Sequence, residues 1–313
     1  MLESGPKGSS FNKIIAPGFS DDDKRVVLGD LKESFENPPK LEGELEKTPD
    51  EEKAIELANW ITSQIIRSLG LDPLEIPSQN VKVLSTVEIG DRDYGGEMEP
   101  LRQILKLERS DSGLVTLVRT IHEMLHMKSF GAFQTLPDNS SGLDFNARSG
   151  LAIKSRDGFQ QFFWRLNEAI TEYLTRAAYH FVAQERKEVF SQELASTEES
   201  KRDVGKVVDD NGEDVPTDDI YFATTESGDL DGKSFVYRKE RQVFDLLVSK
   251  LYERLKSVFE SEDDVREQFY IAYFSGNNRV LAQMVDGSFG KGTFRKIGET
   301  RTAKEFERVV DLM

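Results

Sequence analysis

A chain of 313 residues with 57 acidic and 41 basic side chains, a formal net charge of −16, three histidines and no cysteine is constrained before any motif is read. Without cysteine, thiol nucleophiles, iron–sulfur clusters, zinc ribbons and disulfide scaffolds are excluded, and the length suffices to bury a core without such staples. The acidic balance argues against a nucleic-acid partner, which needs clustered Lys and Arg, and against docking on an anionic membrane.

No window approaches the roughly 18 consecutive apolar residues of a spanning helix. The run MLESGPKGSSFNK lacks the apolar centre of a secretory signal, so a cytoplasmic protein is the expectation. Residues 1–47, rich in Gly, Pro, Ser and acidic groups, read as a loosely held, flexible N-terminal arm. Thr48-Pro49-Asp50-Glu51 then offers an N-cap, a first-turn proline and a capping-box glutamate. Ile55, Leu57, Ala58, Ile61, Ile65 and Leu69 follow at helical spacing until Gly70. The runs VKVLSTVEI and RQILKLER within 81–109 read as strands of a small sheet, divided by the turn-prone GDRDYGGEMEP.

Gly113 to Phe130 is an expected buried helix with Leu114, Leu117, Ile121, Met124 and Leu125 on its apolar face. FNARSGLAIKS alternates around Ser149-Gly150 and suggests a hairpin within a connecting region, 131–158. A long helix is expected over about 159–189, then an acidic insert over 192–234 with an exposed hairpin turning at Asn211-Gly212. From 235 to 313 the pattern is helical again, with Val243, Phe244, Leu247, Leu251 and Leu255 at intervals of three and four. The sum is an α+β arrangement in one domain, 48–313, with a sheet-and-helix lobe (48–130) and a helical C-terminal lobe (159–313).

The chemistry concentrates in TIHEMLHMKSF. His122 and His126 stand four residues apart in the expected helix, so steps of about 100° return both imidazoles to nearly one face, where both reach one metal ion. Glu123 is displaced by one step, placed to accept a proton from water on that metal rather than to ligate it. In LNEAITEYLTRAAY the carboxylates Glu168 and Glu172 are again four apart, flanked by Leu166, Ala169, Ile170 and Leu174. Such a pair repels unless a cation or a histidine N–H takes up the charge. A hydrolytic zinc takes three protein ligands and keeps a fourth position for water. Glu168 completes the set with His122 and His126, and Glu172 accepts the outer ring N–H of His122.

HEMLH followed by NEAITE resembles the gluzincin group of zinc metallopeptidases, of which thermolysin is a member. The two motifs cover about a dozen residues. The resemblance implies a zincin-like fold, a small twisted sheet beside the active-site helix followed by a mainly helical lobe. It also implies one zinc ion held by His122, His126 and Glu168, with Glu123 as general base and Glu172 behind His122, and a peptide or protein substrate. The 41 residues between His126 and Glu168 exceed the thermolysin spacing. No downstream histidine matches the thermolysin-like transition-state donor, because His180 stands two turns past Glu172 on the same helix and reads as a surface or packed residue. Other gluzincins use a tyrosine there. Tyr237, at the start of a C-lobe helix, is the favoured candidate and Tyr273 the other, with Arg238 and Arg241 as helpers. Residues 102–109 are the expected sheet edge for pairing with an extended substrate.

Other readings are weaker. A di-iron bundle needs a second Glu-x-x-His beside Glu123 and His126, but Ala177 stands three before His180. Aligning Gly212 or Gly232 with the sixth position of a calcium loop puts Val207 or Ser227 first, so neither Asp-rich turn fits. A non-catalytic, zinc-stabilised binding protein of the same fold, docking through its acidic insert, is the alternative from a different class. It leaves Glu123 without a task.

Overall fold

Capping chemistry and distant pairing order the N-terminal half. The computed structural model describes residues 11–15, 20–85, 95–135, 145–155, 160–186, 188–191, 193–195, 214–224 and 230–313. Residues 1–47, expected as a loose arm, contain a strand, β1 (Phe11–Ile15), and a helix, α1 (Asp21–Glu36). Ser20 caps α1 in a reciprocal box with Asp23, and Leu31 and Phe35 are buried on its inner face. The Phe35 carbonyl also accepts the side-chain amide of Asn80 at 2.9 Å. The partners of Phe35 and of β1, at Asn80 and Gly131–Gln134, lie far along the chain, whereas the Ser20–Asp23 box is a local signal.

Helix α2 (Pro49–Ser68) starts at the Thr48–Glu51 capping box and ends before Gly70, which takes φ +73°. Three strands follow: β2 (Val81–Leu84), β3 (Gly96–Glu99) and β4 (Ile104–Glu108). Their order is β2-β4-β3, with β2 parallel and β3 antiparallel to β4. The run 102–109 therefore supplies the central strand, not the edge, because both its sides are taken by backbone hydrogen bonds. Among the described residues, β3 is an edge strand of this sheet.

Helix α3 (Gly113–Lys128) is capped by Ser112 and lies against α2, β3 and β4, with Leu114, Leu117, Ile121, Met124 and Leu125 buried. Strand β5 (Gly131–Thr135) pairs β1 in parallel and β6 (Phe145–Ser149) antiparallel. The expected hairpin at Ser149-Gly150 is only a tight turn, closed by one bridge between Ser149 and Ala152, because β6 is claimed by β5. Short strands β7 (Ile153–Lys154) and β8 (Gln161–Phe162) pair with each other.

Helix α4 (Trp164–Glu185) begins later than the expected 159, because Phe163 is fixed in the left-handed region (φ +61°) and its N–H donates to the Gly298 carbonyl at 2.8 Å. Strands β9 (Ile220–Thr224) and β10 (Leu230–Ser234) form an antiparallel pair. The turn expected at Asn211-Gly212 lies outside the described residues. The C-terminal part is α5 (Arg238–Leu255), α6 (Glu262–Ser275), α7 (Asn278–Phe289), α8 (Thr293–Gly298) and α9 (Ala303–Asp311). One contiguous cluster of buried side chains runs from Ala54 on α2, through Met124 on α3 and Ile170 on α4, to Phe244, Phe269 and Val310. The architecture is mixed α+β, and no helix of the described residues is long and apolar enough to cross a membrane.

Candidate metal centre

Helices α3 and α4 pack side by side and turn their i, i+4 pairs toward each other. The Nε2 atoms of His122 and His126 lie 3.1 Å apart, and Oε2 of Glu168 is 3.6 and 3.4 Å from them. Bonds of about 2.1 Å at tetrahedral angles put ligand atoms about 3.4 Å apart, so the three donors have the mutual spacing of a four-coordinate site. Behind His122, its Nδ1 lies 2.9 Å from Oε2 of Glu172. An Nδ1–H donated to that carboxylate leaves the Nε2 lone pair aimed at the other two donors, the tautomer that ligation requires. Among the described residues, His122, His126 and Glu168 are the group able to hold a metal ion.

Charge balance points the same way. Glu123, Glu168 and Glu172 are all buried around two imidazoles, an arrangement of surplus negative charge that needs a cation or extra protons. Burial alone would push the Glu168 carboxyl up, yet the charge and hydrogen bonds of His126 and His122 outweigh it and hold it well below the usual carboxylate range. Burial would likewise lower His122, and its bonds to Glu168 and Glu172 reverse that, raising it well above an ordinary histidine. These directions describe the donors without a metal ion, where a proton takes the place of the cation.

Glu123 is 7 % exposed, and burial raises its carboxyl, with Glu168 and Glu97 adding to the effect and His122 and His126 opposing it. A base so raised is better matched to proton transfer near neutrality. Its neighbour is the edge strand: a methyl group on Gly96 would lie 3.0 Å from Cγ and 3.1 Å from Oε1 of Glu123. Glycine here lets the backbone of β3 approach the carboxylate.

The two tyrosine candidates separate clearly. The Tyr237 ring stacks beside His122, with centroids 6.3 Å apart and 19° between planes, and meets Trp164 edge-on at 5.8 Å. Tyr273 is wholly buried, its hydroxyl 2.9 Å from Thr171 Oγ1 on α4, and belongs to the core. His180 packs among Tyr179 and Phe235, in keeping with a packed residue. Arg241 is committed to Asp219 through two hydrogen bonds of 3.1 and 2.9 Å, and Arg238 is half-buried at the first position of α5.

Gly96, Trp164 and Asn167 escaped the sequence reading as neighbours of the centre. The Gly95-Gly96 doublet was a signal for close approach, read there as a turn. Asn167, beside Glu168, accepts the N–H groups of Leu151 at 2.9 Å and Ala152 at 3.3 Å, pinning the connecting turn to α4. Ser129 and Ser149 both donate to the His126 carbonyl, at 2.7 and 3.1 Å, and so secure the end of α3. Compared with known protein families, curated proteins and solved structures, the chain has no match.

Proposed function

We propose that this chain is a zinc-dependent metallopeptidase of zincin-like fold. The observation that carries the reading is the convergence of His122, His126 and Glu168 at ligand spacing, with buried Glu123 alongside and Glu172 behind His122. When bound, zinc supplies Lewis acidity, lowering the pKa of a water toward neutrality and polarising a carbonyl. Glu123 takes the proton as the water attacks the scissile carbonyl carbon and passes it to the amine that leaves. Glu172 keeps His122 in the ligating tautomer. Tyr237, against the His122 ring, donates to the carbonyl oxygen as it gains charge.

An extended substrate adds along β3, whose only strand partner among the described residues is β4. That strand passes Glu123 at Gly96, so a peptide on it presents its backbone to the base. The non-catalytic alternative gains no specific support, since a purely structural centre has no use for a buried carboxylate beside its ligands.

The test is hydrolysis of a mixed peptide library by zinc-loaded protein, read by mass spectrometry, with Glu123→Gln as the control. New peptide termini from the wild-type protein, absent with a variant that still holds zinc, are expected. Equal cleavage by both proteins would reject Glu123 as base, and no cleavage by either would reject the peptidase reading.

A further inference from the structure

We propose that Asp219 is a positioning residue for Tyr237. The inference rests on the reading of Tyr237 as a donor beside the metal centre and assigns the part of the chain that holds it there. Tyr237 is a non-glycine residue in the left-handed region (φ 52°, ψ 34°), immediately before α5. Such a conformation is sparsely populated and persists only where its surroundings over-determine it. Both flanks of the residue are clipped to one aspartate. Two residues earlier, the Phe235 N–H donates to the Asp219 carbonyl at 3.1 Å. Four residues later, the Arg241 guanidinium grips the Asp219 carboxylate in a two-pronged pair, and the Arg241 N–H returns to the Tyr237 carbonyl at 2.9 Å.

A third contact ties this clip to the metal-binding helices. Arg176, one turn beyond Glu172 on α4, places its Nε 2.7 Å from Oδ1 of the same carboxylate. Asp219 thus joins three things: the helix that supplies Glu168 and Glu172, the end of β10, and the start of α5. The Asp219 carboxylate and the Arg241 guanidinium are almost wholly buried, with side chains 8 % and 7 % exposed. Each therefore depends on the other for its charge, and the geometry of the pair is restrained. The stacking of Tyr237 on His122 is the outcome of that restraint, and nothing in the acidic run PTDDIYF marks Asp219 for the task.

The experiment is a double-mutant cycle on peptide hydrolysis. Asp219→Asn keeps the shape and removes the charge, and kcat is expected to fall about tenfold with KM and zinc content unchanged. In a Tyr237→Phe background the same substitution is expected to add no further loss, because its whole effect passes through the phenol. Losses that multiply, or a wild-type kcat in Asp219→Asn, would overturn the proposal.

Arg241→Met cuts the α5 half of the clip while Arg176 still holds Asp219. It is expected to give the same loss and the same non-additivity, which keeps the test open should Asp219→Asn fail to fold. One readout needs no activity. In zinc-loaded protein, the proton resonances of the His122 ring should move in Asp219→Asn toward their positions in Tyr237→Leu. Unmoved resonances refute the positioning role. If wild-type protein cleaves nothing, the peptidase reading falls, and the resonances still decide whether Asp219 places Tyr237.

Discussion

Replacing Glu172 by Gln should weaken both zinc binding and the metal-free fold, because one carboxylate orients His122 for the metal and partners the same ring when the metal is absent. Its Oε2 is 2.9 Å from His122 Nδ1, and the residue is only 2 % exposed, so water cannot substitute as the acceptor. With Gln, the neutral amide is a weaker acceptor, and if its NH2 faces Nδ1 the ring proton is driven onto Nε2, blocking ligation. Loss of such an orienting carboxylate costs about 10- to 100-fold in metal affinity, or roughly 1.4–2.8 kcal/mol at 1.4 kcal/mol per decade. The metal-free protein should lose stability as well. In the absence of metal the buried Glu172 carboxylate is a partner of the His122 ring, whose pKa it raises, so its loss removes a stabilising pair. The assay is competition with a chromophoric chelator for the zinc Kd, beside thermal melts in chelator. An unchanged Kd, or a metal-free protein stabilised by the substitution, would refute the reasoning.

Three other substitutions probe different links. Gly96→Ala puts a methyl group 3.0 Å from Glu123 Cγ and 3.1 Å from Oε1; kcat should fall at unchanged zinc affinity, and an unaffected kcat would mean that β3 does not set the base. Lys128 is buried with its Nζ 2.8 Å from the Asn59 carbonyl and 2.7 Å from Ser63 Oγ, and burial lowers its pKa from 10.5 to about 7. A folded-state pKa below the unfolded one means that the unfolded chain binds the extra proton between the two values. Stability therefore rises with pH above about 7, by at most roughly 1.4 kcal/mol per pH unit. Urea melts of Lys128→Met should lose that slope, and an equal slope would exclude Lys128 as its source. Tyr273→Phe removes the donor to Thr171 and should cost about 1 kcal/mol of stability while kcat holds; a loss of kcat would return Tyr273 to the centre.

Legibility in the sequence followed range along the chain. His122, Glu123, His126, Glu168 and Glu172 could be grouped because each pair is related by a helical repeat, and α3 and α4 formed with the expected apolar faces buried. Helix α2 was equally readable, its capping box and Gly70 stop being local signals. What escaped depends on tertiary pairing. The register that sets Gly96 opposite Leu107 makes β3 the edge and places it over Glu123; no local pattern distinguishes the central strand from its neighbour. The contact from Phe163 to Gly298 spans more than a hundred residues and delays the start of α4. Asp219 lies in a run whose composition reads as solvated acid, although its carboxylate is buried between two arginines.

The most direct check on the central claim is metal content. Protein equilibrated with zinc and dialysed free of excess should carry about one zinc per chain by elemental analysis. His126→Ala and Glu168→Ala should carry almost none, and Glu123→Gln should carry the wild-type amount. Wild-type protein without zinc, or zinc retained equally after loss of His126 or Glu168, would contradict the assignment of these side chains as a metal centre.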